Sequence, residues 1–379
     1  MSEALRRRLA ESLADRAARG LLRATRARST QDARINLADN DYLGLARDPR
    51  VVAAATEALR QWGASSSASP LVTGYTALHA ELEAALADWQ GYPHALVMNS
   101  GYAANGAVLG RLPRPGDLVL ADRLVHASMV EGILRSGARL ARFAHNDLDD
   151  LEVRLAEAGD REVFVVTESV YSMDGDGPDL ARLAALRDRH RFTWVLDEAH
   201  ATGWHGASGS GRQEEQGVRG AADIVVGTLG KALGSQGAYV LCRDREVREA
   251  LVNLAGEFIY STHLAPSAAA AALAALQVAR TLAPERPGLH RLSQEWRAGL
   301  QEAGFAVPDG HSPIVPIVLG EPDLTVRAAA ALDAAGFLVS AIRPPTVPDG
   351  TSRLRVSLRR GLTEPMRAGF VAALKGALA

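Results

Sequence analysis

Short apolar runs and helical patterns alternate along most of the chain. Ala95–Met98, Leu118–Ala121, Val163–Thr167, Phe192–Leu196, Ile224–Val226 and Ala238–Leu241 are uninterrupted and too short for helices, so they predict strands buried on both faces. Between most of them lie ten or more residues with helical spacing, such as Leu180–His190. That alternation predicts right-handed βαβ crossovers and an α/β domain built on a largely parallel sheet. Upstream, Leu78, Leu82, Leu86 and Trp89 share one helical face within Thr76–Trp89. A further helix is expected near 48–62, after the turn-rich segment Asp39–Gly44. The first thirty residues read as an amphipathic helix with Leu5, Leu9, Leu13, Leu21 and Leu22 on one side.

After about residue 280 the pattern changes. Pro284, Pro287, Pro308, Pro313 and Pro316 punctuate the chain. A strand (Ile314–Leu319), a helix (Leu324–Ala335), two strands (Phe337–Ile342 and Arg353–Leu358) and a last helix ending at Leu378 then predict an α+β appendage. The expected division is a helical arm over 1–40, a large domain over 41–280 and a small domain over 281–379.

Composition narrows the function. Among 379 residues, 47% are apolar and 23% charged, as in an ordinary globular protein. A formal net charge of −2 leaves no basic surplus to hold nucleic acid or an acidic membrane. The single cysteine, Cys242, excludes an internal disulfide framework and ends an apolar run, which reads as core. Arginines crowd the N-terminus, but no apolar stretch follows as a secretory signal needs, and Glu3, Glu11 and Asp15 argue against a mitochondrial presequence. The alanine-rich stretch Ala265–Ala279 is too short to span a bilayer. The expectation is a cytoplasmic protein.

Two strand ends carry the chemistry. Trp194-Val-Leu-Asp-Glu-Ala-His200 puts Asp197 and His200 after one strand, and Thr228-Leu-Gly-Lys231 puts a glycine-flanked lysine after the next. In an open α/β sheet, ligands bind beyond the carboxyl ends of the strands, so these groups should converge. A partly neutral lysine can hold an aldehyde, and a carboxylate can keep a pyridine nitrogen protonated. Gly230 and Gly234 would let a flat ring approach the backbone. Alone, Lys231 is compatible with a solvated loop lysine, Asp197 with a helix N-cap, and His126 with a structural role. Ser100-Gly101-Tyr102 follows a strand and opens a helix, a turn that serves either an anion or simple capping.

Other chemistries lack parts. Asp197-Glu-Ala-His200 matches the acidic box of helicases, but Lys231 is followed by Ala232 and Val225 stands where a phosphate loop begins with glycine. Ser208 and Ser210 miss the Gly-x-Ser-x-Gly register of serine hydrolases. No His-Glu-x-x-His, paired Cys-x-x-Cys or EF-hand loop supports a metal.

Taken together, the motifs resemble the α-oxoamine synthases, pyridoxal 5′-phosphate enzymes of the aspartate-aminotransferase fold (fold type I). They are Asn40-Asp-Tyr-Leu-Gly-Leu45, Ser100-Gly-Tyr-Ala-Ala-Asn105, Asp122-Arg-Leu-Val-His-Ala-Ser128, Phe143-Ala-His-Asn-Asp147, Ser172-Met-Asp-Gly-Asp176, Asp197-Glu-Ala-His200, Thr228-Leu-Gly-Lys231, Tyr260-Ser-Thr262 and Ala341-Ile-Arg-Pro-Pro-Thr-Val-Pro348. They run in family order from about residue 20 to 360. The resemblance implies a large, mostly parallel seven-stranded sheet domain and a smaller C-terminal α+β domain.

It also implies roles. Lys231 would hold the cofactor aldehyde and later move the substrate α-proton. Asp197 would pair with the ring nitrogen, His126 would stack on the ring, and His200 would bond the phenolic oxygen and the developing substrate carbonyl. Ser172, Thr228 and the backbone of Gly101 and Tyr102 would hold ring substituents and phosphate. Thr262 would reach the phosphate of a neighbouring subunit, because the family's sites lie between the subunits of a homodimer. Asn40 and Arg343 resemble the grip on the amino-acid carboxylate; Arg23 and Thr346 resemble acyl-substrate contacts.

The implied reaction joins L-alanine to pimeloyl-CoA, or to the pimeloyl thioester of an acyl-carrier protein. It yields 8-amino-7-oxononanoate, CO₂ and free thiol in biotin biosynthesis. Sister reactions use glycine with acetyl-CoA or succinyl-CoA, and Arg343-Pro-Pro-Thr346 favours the alanine reaction over both. A cofactor-binding scaffold would have no need of Lys231, Asp197, His126 and Arg343 together. One departure stands out: Gly63-Ala-Ser-Ser-Ser-Ala-Ser-Pro-Leu-Val-Thr-Gly74 carries serines and alanines where the family has a glycine-rich turn. Any position there that needs positive φ would be strained.

Overall fold

The computed structural model describes residues 1–379, which form two compact units: Asn40–His290, and Met1–Asp39 together with Arg291–Ala379. The larger unit holds a seven-stranded sheet of β1 (His94–Met98), β2 (Leu118–Asp122), β3 (Arg139–Phe143), β4 (Val163–Glu168), β5 (Thr193–Asp197), β6 (Ile224–Thr228) and β7 (Ala238–Cys242). Its order is β1-β7-β6-β5-β4-β2-β3. Only β7 runs against its neighbours. The central strands are buried from end to end, as their uninterrupted apolar runs require.

Strand β3 has no counterpart among the predicted runs. It is a partly exposed edge strand whose sequence, Arg-Leu-Ala-Arg-Phe, alternates instead of staying apolar. The other edge strand, β1, is closed by a side chain. Glu83 accepts the Val97 N–H (2.8 Å) and the Tyr75 hydroxyl (2.7 Å), and Arg248 lies 3.5 Å from its carboxylate. Burial raises the Glu83 pKa, and the Val97 N–H, Tyr75 and Arg248 oppose that rise. An edge capped in this way is not available for pairing with another strand.

Parallel pairing sets the strand ends in register. Glu168 of β4 lies opposite Asp197 of β5, and Asp197 opposite Val226 of β6. Because β7 alone is reversed, the carboxyl ends of β1, β2, β4, β5 and β6 share one edge of the sheet with the start of β7. The turns after those strands therefore meet, in the crevice where α/β sheets bind ligands.

One such turn is fastened by a histidine. His145, just past β3, places Nδ1 2.9 Å from Asp122 and Nε2 3.0 Å from Asp176. The Asn146 N–H adds a bond to Asp122 (2.8 Å) and its amide one to Asp176 (2.9 Å). Burial would lower the His145 pKa, but hydrogen bonds to Asp122 and Asp176 overcome it and raise the value to about 10. The Ser172–Asp176 segment is thereby tied to the end of β2.

The smaller unit contains a three-stranded antiparallel sheet, Ser340–Ile342, Ser352–Ser357 and Ile314–Gly320, and a parallel pair, Ile35–Asn36 with Phe337–Leu338. The expected strand Phe337–Ile342 is two strands, since Leu338 pairs with Asn36 and Ser340 with Arg355. Trp296, Phe337 and Phe370 make its aromatic core, with ring centroids 5.5–5.6 Å apart. The N-terminal helix is shorter than expected, Glu3–Ala18, with no buried residue. Its Ser2 cap and Ala, Leu, Arg and Glu content support it locally. Gly20 at φ +63° ends the helical course, so Leu21 is buried while Leu9, Leu13 and Leu22 are exposed. No helix is long and apolar enough to cross a membrane.

Two stability predictions follow from these ties. Glu83→Ala leaves the Val97 N–H and the Tyr75 hydroxyl without their acceptor and should cost about 2–3 kcal/mol, read as a lower melting temperature. His145 carries a raised pKa, so its stabilisation is complete below the ordinary histidine range and is lost as pH rises through about 10. Melting curves of wild type and His145→Gln should differ most below pH ~6.5 and converge toward pH ~10.

Candidate active site

The turn between β6 and β7 presents Lys231. Thr228 shapes it, accepting the Gly230 N–H (3.2 Å) and donating to the Gly237 carbonyl (3.2 Å), while the Ser235 N–H returns to Leu229 (2.9 Å). Gly234 sits at φ +59°, and a Cβ there would lie 2.3 Å from the Ala46 nitrogen. Gly234 is thus required by a backbone approach within the protein, which corrects the expectation that it makes room for a ring. Gly230 remains open, with nothing nearer than 3.6 Å to an added Cβ.

Lys231 Nζ lies 2.7 Å from His200 Nε2, and His200 Nδ1 lies 2.7 Å from the Tyr42 hydroxyl. Tyr42 donates to Asn40 Oδ1 at 3.0 Å. Lys231, His200, Tyr42 and Asn40 thus form one continuous hydrogen-bonded chain that holds the His200 ring in place.

A second chain fixes Asp197. Its Oδ1 accepts the Ala199 N–H (2.8 Å) and its Oδ2 the Asn105 amide (2.9 Å). Asn105 also donates to Ser128 Oγ (3.2 Å), which lies 2.8 Å from His126 Nδ1. Glu168, fully enclosed, accepts the His126 N–H at 2.6 Å. Burial first, and the Asp197 charge second, push the Glu168 pKa well up. His126 is exposed along one side, yet packing at its base holds its pKa below the usual value; Asp197 opposes that shift and Lys231 adds to it.

Asn99-Ser-Gly101 leads from β1 into the helix Gly101–Arg111. Ser100 caps the helix by accepting the Ala103 N–H (3.1 Å), which leaves the Gly101 and Tyr102 N–H groups at its open end. A Cβ on Gly101 would meet nothing within 4 Å, so the end is accessible to an anion. Thr262 is exposed, and its carbonyl accepts from Asn99 (2.7 Å). Ser172 is half-buried in the turn fastened by His145. These groups fit pyridoxal phosphate: an amine for its aldehyde, a carboxylate for its ring nitrogen, an open imidazole face for its ring and a helix end for its phosphate.

Arg23, Arg343 and Thr346 lie in the smaller unit. Arg23 donates to Thr346 Oγ1 (3.0 Å), and Arg343 donates to the Gly20 carbonyl (2.5 Å). The serine-rich segment 63–74 concentrates its strain at one non-glycine residue, Ser67, at φ +57°. It packs along 263–264 through Ser66 to the Leu264 carbonyl (2.6 Å) and the His263 N–H to Ala68 (2.9 Å).

Tyr42, Asn105, Ser128 and Glu168 were not singled out from sequence, although three of them lie inside the quoted motifs. Two signals were available. Asn105 is a polar residue on an otherwise apolar helix, and Glu168 ends an apolar strand just as Asp197 does.

The aminotransferase class I and II family model matches residues 33–374. The 8-amino-7-oxononanoate synthase of Anaeromyxobacter dehalogenans is 49% identical over 344 residues, covering 91% of this chain and 86% of that one. The serine palmitoyltransferase of S. paucimobilis, a Lys-to-Ala variant solved with a bound PLP–myriocin aldimine, superposes with a TM-score of 0.90 at 30% identity over 97% of this chain and 96% of that one. The 8-amino-7-oxononanoate synthase of Francisella tularensis superposes at 0.78 with 28% identity over 91% and 98%. Both solved enzymes share the fold, and the higher identity to the A. dehalogenans enzyme separates the branches. The chain belongs to the class I and II aminotransferases and, within them, to the pyridoxal-phosphate-dependent 8-amino-7-oxononanoate synthases.

Proposed function

We propose that this chain condenses L-alanine with pimeloyl-CoA, or the corresponding acyl-carrier-protein thioester, giving 8-amino-7-oxononanoate, CO₂ and free thiol in biotin biosynthesis. The observation that carries the reading is that Asp197 ends β5 and Lys231 follows the neighbouring β6 at the same sheet edge, with His126 joined to Asp197 through Ser128 and Asn105. A lysine and a buried carboxylate beside one flat ring match the two ends of a pyridine aldehyde. Identity of 49% to a named synthase selects the reaction among those the fold supports.

Bound pyridoxal phosphate supplies a protonated ring that takes up the electrons released at the substrate α-carbon. Asp197 keeps the ring nitrogen protonated, and Asn105 holds Asp197 in line. His126 covers one ring face. Gly101, Tyr102, Ser172 and Thr228 hold the phosphate and ring substituents. Lys231 Nζ would hold the cofactor aldehyde and, once free, would take the substrate α-proton. His200, its ring held by Tyr42, would donate a ring N–H to the phenolic oxygen and to the oxygen that gains charge as the α-carbon attacks the thioester. That attack forms the new C–C bond and expels the thiol. The alanine carboxylate then leaves as CO₂, its bonding pair returns to the α-carbon, and Lys231 delivers the proton there. Asn40 and Arg343 grip the amino-acid carboxylate, and Arg23 with Thr346 holds the acyl chain.

The working form is a homodimer in the cytoplasm. Supporting the dimer, the larger unit exposes Val52, Leu59, Trp62, Leu71, Val72 and Tyr260. In that dimer Thr262 reaches the phosphate of the partner's cofactor.

Thiol release by the cofactor-loaded protein, crossing L-alanine, glycine and L-serine with pimeloyl-, acetyl- and succinyl-CoA, tests the reaction. Release with alanine and pimeloyl-CoA alone is expected; release with glycine and a short acyl group would overturn the assignment. Lys231→Ala should lower the rate by about 10⁴ or more and lose the covalently held chromophore. Asn105→Ala should cut kcat roughly 10- to 100-fold while KM for alanine stays within a few-fold, with a narrowed pH–rate profile. A purely structural role for Asn105 would lower stability and leave that profile unmoved.

A further inference from the structure

Beyond the Lys231 cluster, the chain from Ala201 to Glu215 folds into turns with glycines at positive φ at 203, 206, 209 and 211. His205 within it is buried, and its Nδ1 lies 3.0 and 3.2 Å from the two Glu215 oxygens. Glu215 ends the short helix Arg212–Glu215, and its Oε1 lies 3.8 Å from Nε2 of His290, on the helix Arg286–Glu302. One nitrogen of each histidine and one oxygen of Glu215 lie within 4.8 Å of one another. Nearby, the Trp204 carbonyl is 3.2 Å from His290 Nε2, and Arg212 Nε is 3.8 Å from Glu215 Oε2.

We infer that His205, Glu215 and His290 form a three-ligand site for a divalent transition metal of the zinc class. A tetrahedral ion with bonds of about 2.0–2.1 Å sets its donors roughly 3.3–3.4 Å apart. The measured edges, 3.2 Å and 3.8 Å, bracket that spacing. A hydrogen bond accounts for the first edge alone. The second is too long for one, yet it brings a second imidazole to the same carboxylate oxygen. Two imidazoles and a carboxylate select zinc, cobalt or nickel over magnesium and calcium. Glu215 and His290 side chains are about a quarter exposed, at 22% and 25%, so an ion can enter. Three segments of the larger unit would be clipped together, and the clip begins five residues beyond His200. The site is structural.

The test uses the cofactor-loaded protein after chelator treatment. Titration with Zn²⁺ should show one saturable site per chain and a raised melting temperature, since the metal binds only the folded state. Co²⁺ should give the visible bands of a tetrahedral centre, and X-ray absorption of the zinc form should count at least two imidazoles. Glu215→Gln and His290→Ala should each weaken Zn²⁺ binding at least ~10-fold without altering the cofactor chromophore. Absence of saturable binding, binding unchanged by both substitutions, or a zinc spectrum without two imidazoles would overturn the site. The spectra of the unsubstituted protein decide the question even if a variant fails to fold.

Discussion

Asp197 is a carboxyl group that is almost fully enclosed, and much of the surrounding structure serves to hold it in place. Burial alone would drive such a group toward its neutral form. The Ala199 N–H and the Asn105 amide each donate to one of its oxygens. Glu168, its neighbour in strand register, has its proton affinity raised by burial and by the Asp197 charge.

The same sheet edge explains why the other groups meet. Reversal of β7 alone brings the β6–β7 turn, and with it Lys231, back to the edge that carries Asp197 and the Gly101 helix end. Gly234 allows that turn to pass close against the backbone at Leu45 and Ala46, within the segment that also supplies Tyr42. Tyr42 in turn orients His200, so one short segment sets both the path of the lysine turn and the orientation of its histidine neighbour.

Much of this was legible in the sequence. Uninterrupted apolar runs located six of the seven sheet strands, because strands buried on both faces leave no polar alternation. The seventh, Arg139–Phe143, was hidden by its place at the edge, where arginines face water. The N-terminal helix was overextended because leucine spacing says nothing about whether a surface exists to bury it. Among site residues, spacing found those that end strands. It did not find Asn105, Ser128 or Tyr42, whose work is to hold another side chain through contacts far apart in sequence. The His205, Glu215 and His290 cluster was invisible for the same reason, since no metal motif has its spacing.

The central claim is that Asp197 holds a proton on the cofactor's ring nitrogen. Nitrogen-15 NMR of the protein loaded with ring-labelled pyridoxal phosphate tests it most directly, at a pH where the free cofactor has lost that proton. The account predicts the shift of a protonated pyridine in the wild-type protein and that of a bare pyridine in Asp197→Asn. A bare-pyridine shift in the wild type would contradict it.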